Sequence, residues 1–212
     1  MRFIFRHWYT IGLGVGALSL ILLILHWESM IFEQKIYAVF FIGMCLHQFE
    51  EFGKPGGFPY FMNAINHKSD SPANYPLNQA TAFLINVIVG YPMYIIPIFF
   101  PQLKWLGMAG VTFAVVQAAQ HSIVFNRTAG TRYNPGMITA LFIFLPVGIY
   151  YYIVVFSHGW ATPVDFILGF IFDMALAMIV FKQGVYKVLA KKDSPYAFTQ
   201  EELSRYKKQK VS

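Results

Sequence analysis

The segment Cys45-Leu46-His47-Gln48-Phe49-Glu50-Glu51-Phe52 places one imidazole and two carboxylates within five residues. On a helix that turns about 100° per residue, Glu50 falls about 60° to one side of His47 and Glu51 about 40° to the other. All three therefore share one face, and Cys45, about 160° from His47, points elsewhere. A neutral imidazole beside carboxylates is the mixed nitrogen and oxygen donor set of zinc, iron or manganese, and equally a set for acid–base work. Further along, Gln117, Gln120 and His121 form a second polar stripe, followed by Asn126, Arg127 and Arg132. Either stripe alone is accounted for by an apolar helix becoming polar near a membrane surface, or by a histidine bonding a neighbouring helix. Two histidines and two carboxylates at one depth point instead to a site. Arg127 or Arg132 would be the alternative counter-charge to a metal ion.

Three other residues are candidates on their placement. Asn86 shares a stripe of small and polar residues with Asn78, Ala82 and Gly90, and suits either helix packing or hydrogen bonding near a substrate. Asp173 lies inside an apolar run between Gly169 and Ala177, where an ionisable side chain marks function. Asp173 or His67 would complete a second metal site if one exists. The Pro- and Gly-rich stretch 53–76 is a lid over the site or an interfacial anchor.

The elements that must hold these residues are membrane helices. The 212 residues are 57% hydrophobic and 12% charged, with a mean hydropathy of +0.50, more apolar than a soluble domain requires. About 20 apolar residues span a bilayer as a helix. Six runs have that length: about Tyr9–His26, Phe32–Phe49, Leu77–Phe100 with Pro92 and Pro97 inside, Trp105–Phe125, Pro135–Phe156 and Pro163–Lys182. The fold class is thus an all-α polytopic membrane bundle, over residues 1–184, with a basic tail over 185–212. The first run is retained as a helix, since it has no A-x-A cleavage site, and the lone Cys45 has no disulfide partner. Six spans put both termini on one side. That side carries Arg2, Arg6, Lys54, Lys68, Arg127, Arg132 and the eight basic residues from Lys182 to Lys210, 14 in all, and the other side carries Lys35 and Lys104. Both termini are expected in the cytoplasm on this bias, and the tail is expected on anionic lipid. The net charge of +6 then reflects topology, and no nucleic-acid partner is expected.

The elements His47-Gln48-Phe49-Glu50-Glu51, the later His121, and Tyr133-Asn134-Pro135-Gly136 occur in the order that defines the HXXEE-motif family of integral membrane proteins. The chain resembles that family over about residues 10–182. The resemblance implies a membrane bundle but supplies no established reaction. It adds Tyr133 to the candidates, a phenol on the same side as His47 and His121. Together these residues suggest a metal-dependent enzyme, hydrolase or oxidoreductase, acting on a lipid or lipophilic molecule at the cytoplasmic end of the bundle. His47, His121 and one of Glu50 or Glu51 would hold the divalent metal, and the other glutamate would be the general base. Two rivals remain open: a proton-coupled transporter using Asp173 and His121, and a non-catalytic assembly subunit.

Overall fold

A computed structural model describes residues 1–209, with side chains as far as Tyr206, and among these residues every regular element is helical. In chain order they are α1 (Arg2–Leu25), α2 (Phe32–Phe52), α3 (58–66), α4 (Gln79–Phe99), α5 (Lys104–Ala129), α6 (Met137–Ser157), α7 (Pro163–Leu189) and α8 (Gln200–Gln209). Five of them, α1 and α4 to α7, are long and apolar enough to cross a membrane. The sixth expected span is α2, equally long but too polar to meet the same measure, because it carries Glu33, Lys35, His47, Glu50 and Glu51. Its position explains that composition. It packs on α1, α4, α5 and α6 and is buried along most of its length, while the outer helices turn Leu18, Phe142, Ile153 and Ile167 outward. Its His47, Gln48, Glu50 and Glu51 are buried at the centre, where protein can supply their partners.

Two helix ends differ from expectation. Helix α1 starts at Arg2 rather than near Tyr9, and α7 runs through Lys182 and Lys187 to Leu189. Lysine and arginine are good helix formers whose stems lie along apolar surface, so charge does not end a span. The boundary drawn after residue 184 consequently falls inside α7. Helix α4 widens over Leu84–Val89 just ahead of Pro92; proline lacks an N–H and clashes with the preceding turn, and a wider turn relieves both.

The tail does not spread away from the bundle but closes its end. Phe198 and Leu203 are buried against Trp8 and Phe52, and Tyr196 lies edge-on to Phe5 at 5.0 Å. Lys192 Nζ donates to Asp70 (2.7 Å) and Gln79 Nε2 donates to Glu202 (3.1 Å). Arg205 Nη1 donates to the carbonyls of Phe52 (2.8 Å) and Gly53 (3.0 Å), two of the acceptors left over at the end of α2. Apolar side chains interleaved with the basic ones account for this docking. Of the tail's charges, the Lys207 and Lys208 side chains and Lys210 lie outside the described residues.

Part of stretch 53–76 lies over the site, where Phe58 and Met62 line the adjoining cavity. Asn63, fully buried, accepts from Leu77 N (3.0 Å) and donates to the carbonyls of Pro72 (2.8 Å) and Leu77 (2.7 Å), which ties α3 to the start of α4. The start of α1, the end of α2, α3 and α8 thus meet at one end of the bundle.

Candidate metal centre

His47 and Glu51 are one turn apart on α2, and His121 reaches them from a widened turn of α5, Gln120–Phe125. The imidazole centroids stand 5.0 Å apart at 85°. Glu51 Oε1 lies 3.6 Å from His47 Nε2 and 3.5 Å from His121 Nε2. These residues form a buried group that could hold a metal ion, with one donor atom from each lying within 4.8 Å of the others. His121 is 0%, His47 1% and Glu51 4% exposed.

The far nitrogen of each ring is held by a neighbour, and that sets the tautomers. Asn134 Nδ2 donates to His121 O (2.6 Å) and Asn126 Oδ1 (2.8 Å), so Asn134 Oδ1 is the atom facing His121 Nδ1 at 2.6 Å. His121 Nδ1 therefore carries its proton and donates. On the other ring, Thr139 Oγ1 donates to Glu50 Oε2 (2.7 Å) and accepts from His47 Nδ1 (2.9 Å). Both Nε2 atoms are left as lone-pair donors, buried and without a hydrogen-bond partner. Histidines that bind metals are oriented in this way, through the nitrogen remote from the ion.

Gly136 closes the group from above. Its φ is +99°, and a Cβ placed there would lie 2.5 Å from His121 Cε1, 2.8 Å from His47 Cε1 and 3.0 Å from Glu51 Cγ. A residue without a side chain is required on both counts. The Tyr133-Asn134-Pro135-Gly136 turn thus contributes an orienting amide and a glycine that lets the backbone lie on all three side chains.

Glu50, expected as ligand or base, stands outside the three-membered group. Its two oxygens accept from Tyr133 Oη (3.0 Å), Ile138 N (3.0 Å), Thr139 N (2.9 Å) and Thr139 Oγ1 (2.7 Å). Four bonds use the acceptor capacity of a carboxylate, and two satisfy orphan amides in the first turn of α6, where negative charge is favourable. Tyr133 acts on Glu50 rather than on the cavity. Burial, and then the neighbouring Glu50 charge, push its phenol far above the usual value, so it stays a proton donor. Glu50→Gln should leave metal content unchanged and lower stability by about 1.5–3 kcal/mol, the worth of charged hydrogen bonds; thermal unfolding followed at the buried thiol of Cys45 would measure it. Loss of metal with unchanged stability would return Glu50 to the ligands.

A cavity of about 180 Å³ adjoins His47 and Glu51 and runs inward to Met93, Phe113 and Leu176. Asn86 lines it, accepting from Gln48 Nε2 at its carbonyl (3.2 Å) and Oδ1 (3.4 Å) and donating to Ala82 O (2.9 Å). Asn78, placed in the same stripe, instead caps α4 by accepting from Ala80 N and Thr81 N, both at 3.1 Å. Tyr186 also lines the cavity, facing Glu51. It escaped notice because the last span was ended at Lys182. Thr139 and Asn134 were missed as well; Asn134 held the open position of the Y-x-P-G motif, and that was the available signal.

Asp173 and His67 do not join the group. Asp173 is buried between α5 and the tyrosines Tyr94 and Tyr152, a turn short of the cavity. His67 is exposed and packs on Tyr186 at 5.3 Å. Arg127 and Arg132 are exposed, and among the described residues neither forms an ion pair with Glu50 or Glu51.

No curated protein and no solved structure matches the chain. The family described as a protein of unknown function with HXXEE motif matches residues 38–151, a narrower span than residues 10–182. That stretch holds His47, Glu50, Glu51, His121, the Y-x-P-G turn and Thr139, and leaves out Asp173 and Tyr186. It covers more than half of the sequence and every residue of the three-membered group, and the chain belongs to the HXXEE-motif family.

Proposed function

We propose that His47, Glu51 and His121 bind one divalent metal ion and that the protein is a membrane metalloenzyme. The observation that carries this is the pair of buried, partnerless Nε2 atoms at 3.5 and 3.6 Å from one carboxylate oxygen. At these spacings neither Nε2 has a hydrogen-bond partner of acceptable geometry. The spacings match ligand atoms around a shared ion: two donors about 2.1 Å from zinc at a tetrahedral angle stand about 3.4 Å apart. Among the described residues no lysine or arginine pairs with the buried Glu51 carboxylate, and a cation held by it and the two imidazoles would offset the several kcal/mol that an uncompensated buried charge costs.

Two imidazoles and one carboxylate suit zinc, iron or manganese and leave a position open toward the cavity. There the ion would supply a water made acidic or a polarised substrate oxygen. Glu51 would hold the ion and offset its charge, Asn134 and Thr139 orient the imidazoles, and Tyr186 offers a phenol across the cavity. A carrier linking Asp173 to His121 has less behind it, because neither residue lines the cavity and its inner end is floored by Met93, Phe113 and Leu176.

The test is metal content together with stability. An ion at one hundred times its Kd adds about 2.7 kcal/mol to the folded state, so chelation should lower the unfolding midpoint and the returning metal should restore it. Metal-free protein whose midpoint ignores chelator and metal alike would overturn the assignment.

The same reading places both termini in the cytoplasm, supported by the 14-to-2 division of basic residues. Cysteines introduced at Lys35, Lys104 and Gly159 should react with an impermeant reagent from outside, and those at Lys68 and Arg132 from inside. Labelling of all five from one side would overturn the orientation and the groupings built on it.

A further inference from the structure

The walls of the cavity bear on what reaches the site. From the end of the bundle it is closed: Phe52, Phe61 and Met62 are buried across it, and α8 is fastened over them through Arg205. From the side it is not. Asn86, Gln117 and Gln120 line it and remain half-buried, although they sit within helices long and apolar enough to cross a membrane. Amides at that depth are tolerated where they face a cavity rather than lipid.

Helix α7 forms one side of this opening and is held unevenly. Its first half is locked to α5 at Gly169, where a Cβ would lie 2.8 Å from Trp105 O and 2.9 Å from Ala109 N. Its second half, a continuous wide-turned stretch over Leu176–Leu189, rests on the bundle through few contacts, among them Phe181 on Phe113 at 6.2 Å and Tyr186 on His67 at 5.3 Å. Helices α4 and α7 both face the cavity but pack only sparsely on each other.

Resting on the metal assignment above, we infer that the site is entered sideways from the bilayer, between α4 and the second half of α7, by a single-chain amphiphile. Its polar end meets Glu51 and the open metal position, and its chain lies toward Met93, Phe113 and Leu176. The cavity, at about 180 Å³, is below the roughly 300–1,000 Å³ of pockets that enclose drug-sized ligands. It has room for the polar end and first methylenes of one slender chain, whose remainder lies between α4 and α7 in the leaflet, and it excludes a two-chain lipid. The depth order of polar site and apolar floor is also that of an amphiphile in a leaflet.

The experiment uses the full chain in phosphatidylcholine vesicles with a photoactivatable, clickable palmitic acid as probe. Label is expected on the α4 and α7 peptides that contain Ile85 and Phe181, in metal-loaded and chelated protein alike. Ala177→Trp, which fills the cavity wall, should reduce that label several-fold, whereas Met178→Trp, on the exposed face of the same turn, should not. Burial of Cys45 and an unchanged unfolding midpoint show that each variant is folded; if Ala177→Trp fails that check, Gly90→Leu on the opposite wall replaces it. In loaded protein, lipophilic 1,10-phenanthroline should strip the metal several-fold faster than EDTA. Label spread evenly over α1 and untouched by a folded cavity-filling variant, or equal stripping by both chelators, would overturn lateral entry. A metal-free wild type that still shows the localised label would overturn the metal assignment and leave lateral entry standing.

Discussion

Protein purified in mild detergent is expected to carry close to one zinc, iron or manganese ion per chain, and His47→Ala, His121→Ala and Glu51→Gln are each expected to abolish it. Among the described residues these three donors form the group that could hold an ion, and no arginine or lysine pairs with Glu51. Removing one leaves two donors and, in the histidine variants, a buried carboxylate with a half-formed counter-charge. Changes at the orienting neighbours should be milder. Asn134→Ala or Thr139→Val removes the acceptor for one Nδ1–H and should weaken binding about 10–100-fold. The graded order, ligand variants below orienting variants below wild type, is read by elemental analysis and by competition with a chelator of known affinity. Stoichiometric metal surviving in both histidine variants would place the ion elsewhere.

Gly136→Ala is expected to disable the site without touching a ligand. At φ +99° an alanine is strained, and its methyl would overlap both imidazoles and the Glu51 side chain. Backbone strain of about 1–3 kcal/mol and a similar cost for overpacking predict a loss of about 2–6 kcal/mol, with metal lost as well because the rings must separate. Thermal unfolding followed at Cys45, fully buried in the native state, gives the first quantity, and elemental analysis the second. A folded Gly136→Ala protein with full metal content would mean that the turn is not held against the group. Glycine at this position was legible from sequence only as permission for a close approach; which side chains it approaches was not.

The membrane helices could be read from the chain because hydropathy over about 20 residues is a local property. The exceptions at the ends have local causes too: α1 and α7 extend through basic residues that still form helix. His47 and Glu51 one turn apart follow from helix geometry alone. Helical angles could not separate the roles of Glu50 and Glu51, which lie on one arc. Their division depends on what approaches each: the first turn of α6 and Tyr133 take all four acceptor positions of Glu50, while His121 of α5 comes to Glu51. Asp173 shows the same limit from the other side. A buried carboxylate in an apolar helix signals an unusual environment, and only the packing of α7 on α5 decides that the environment is Tyr94 and Tyr152 rather than the histidines. Sequence by itself determined the class of fold, the helix that carries the chemistry and the residue types in the site, since these depend on neighbours along the chain. Tertiary structure decided which carboxylate faces the imidazoles, which nitrogens are free and where the cavity lies, since each depends on groups brought together from segments dozens of residues apart.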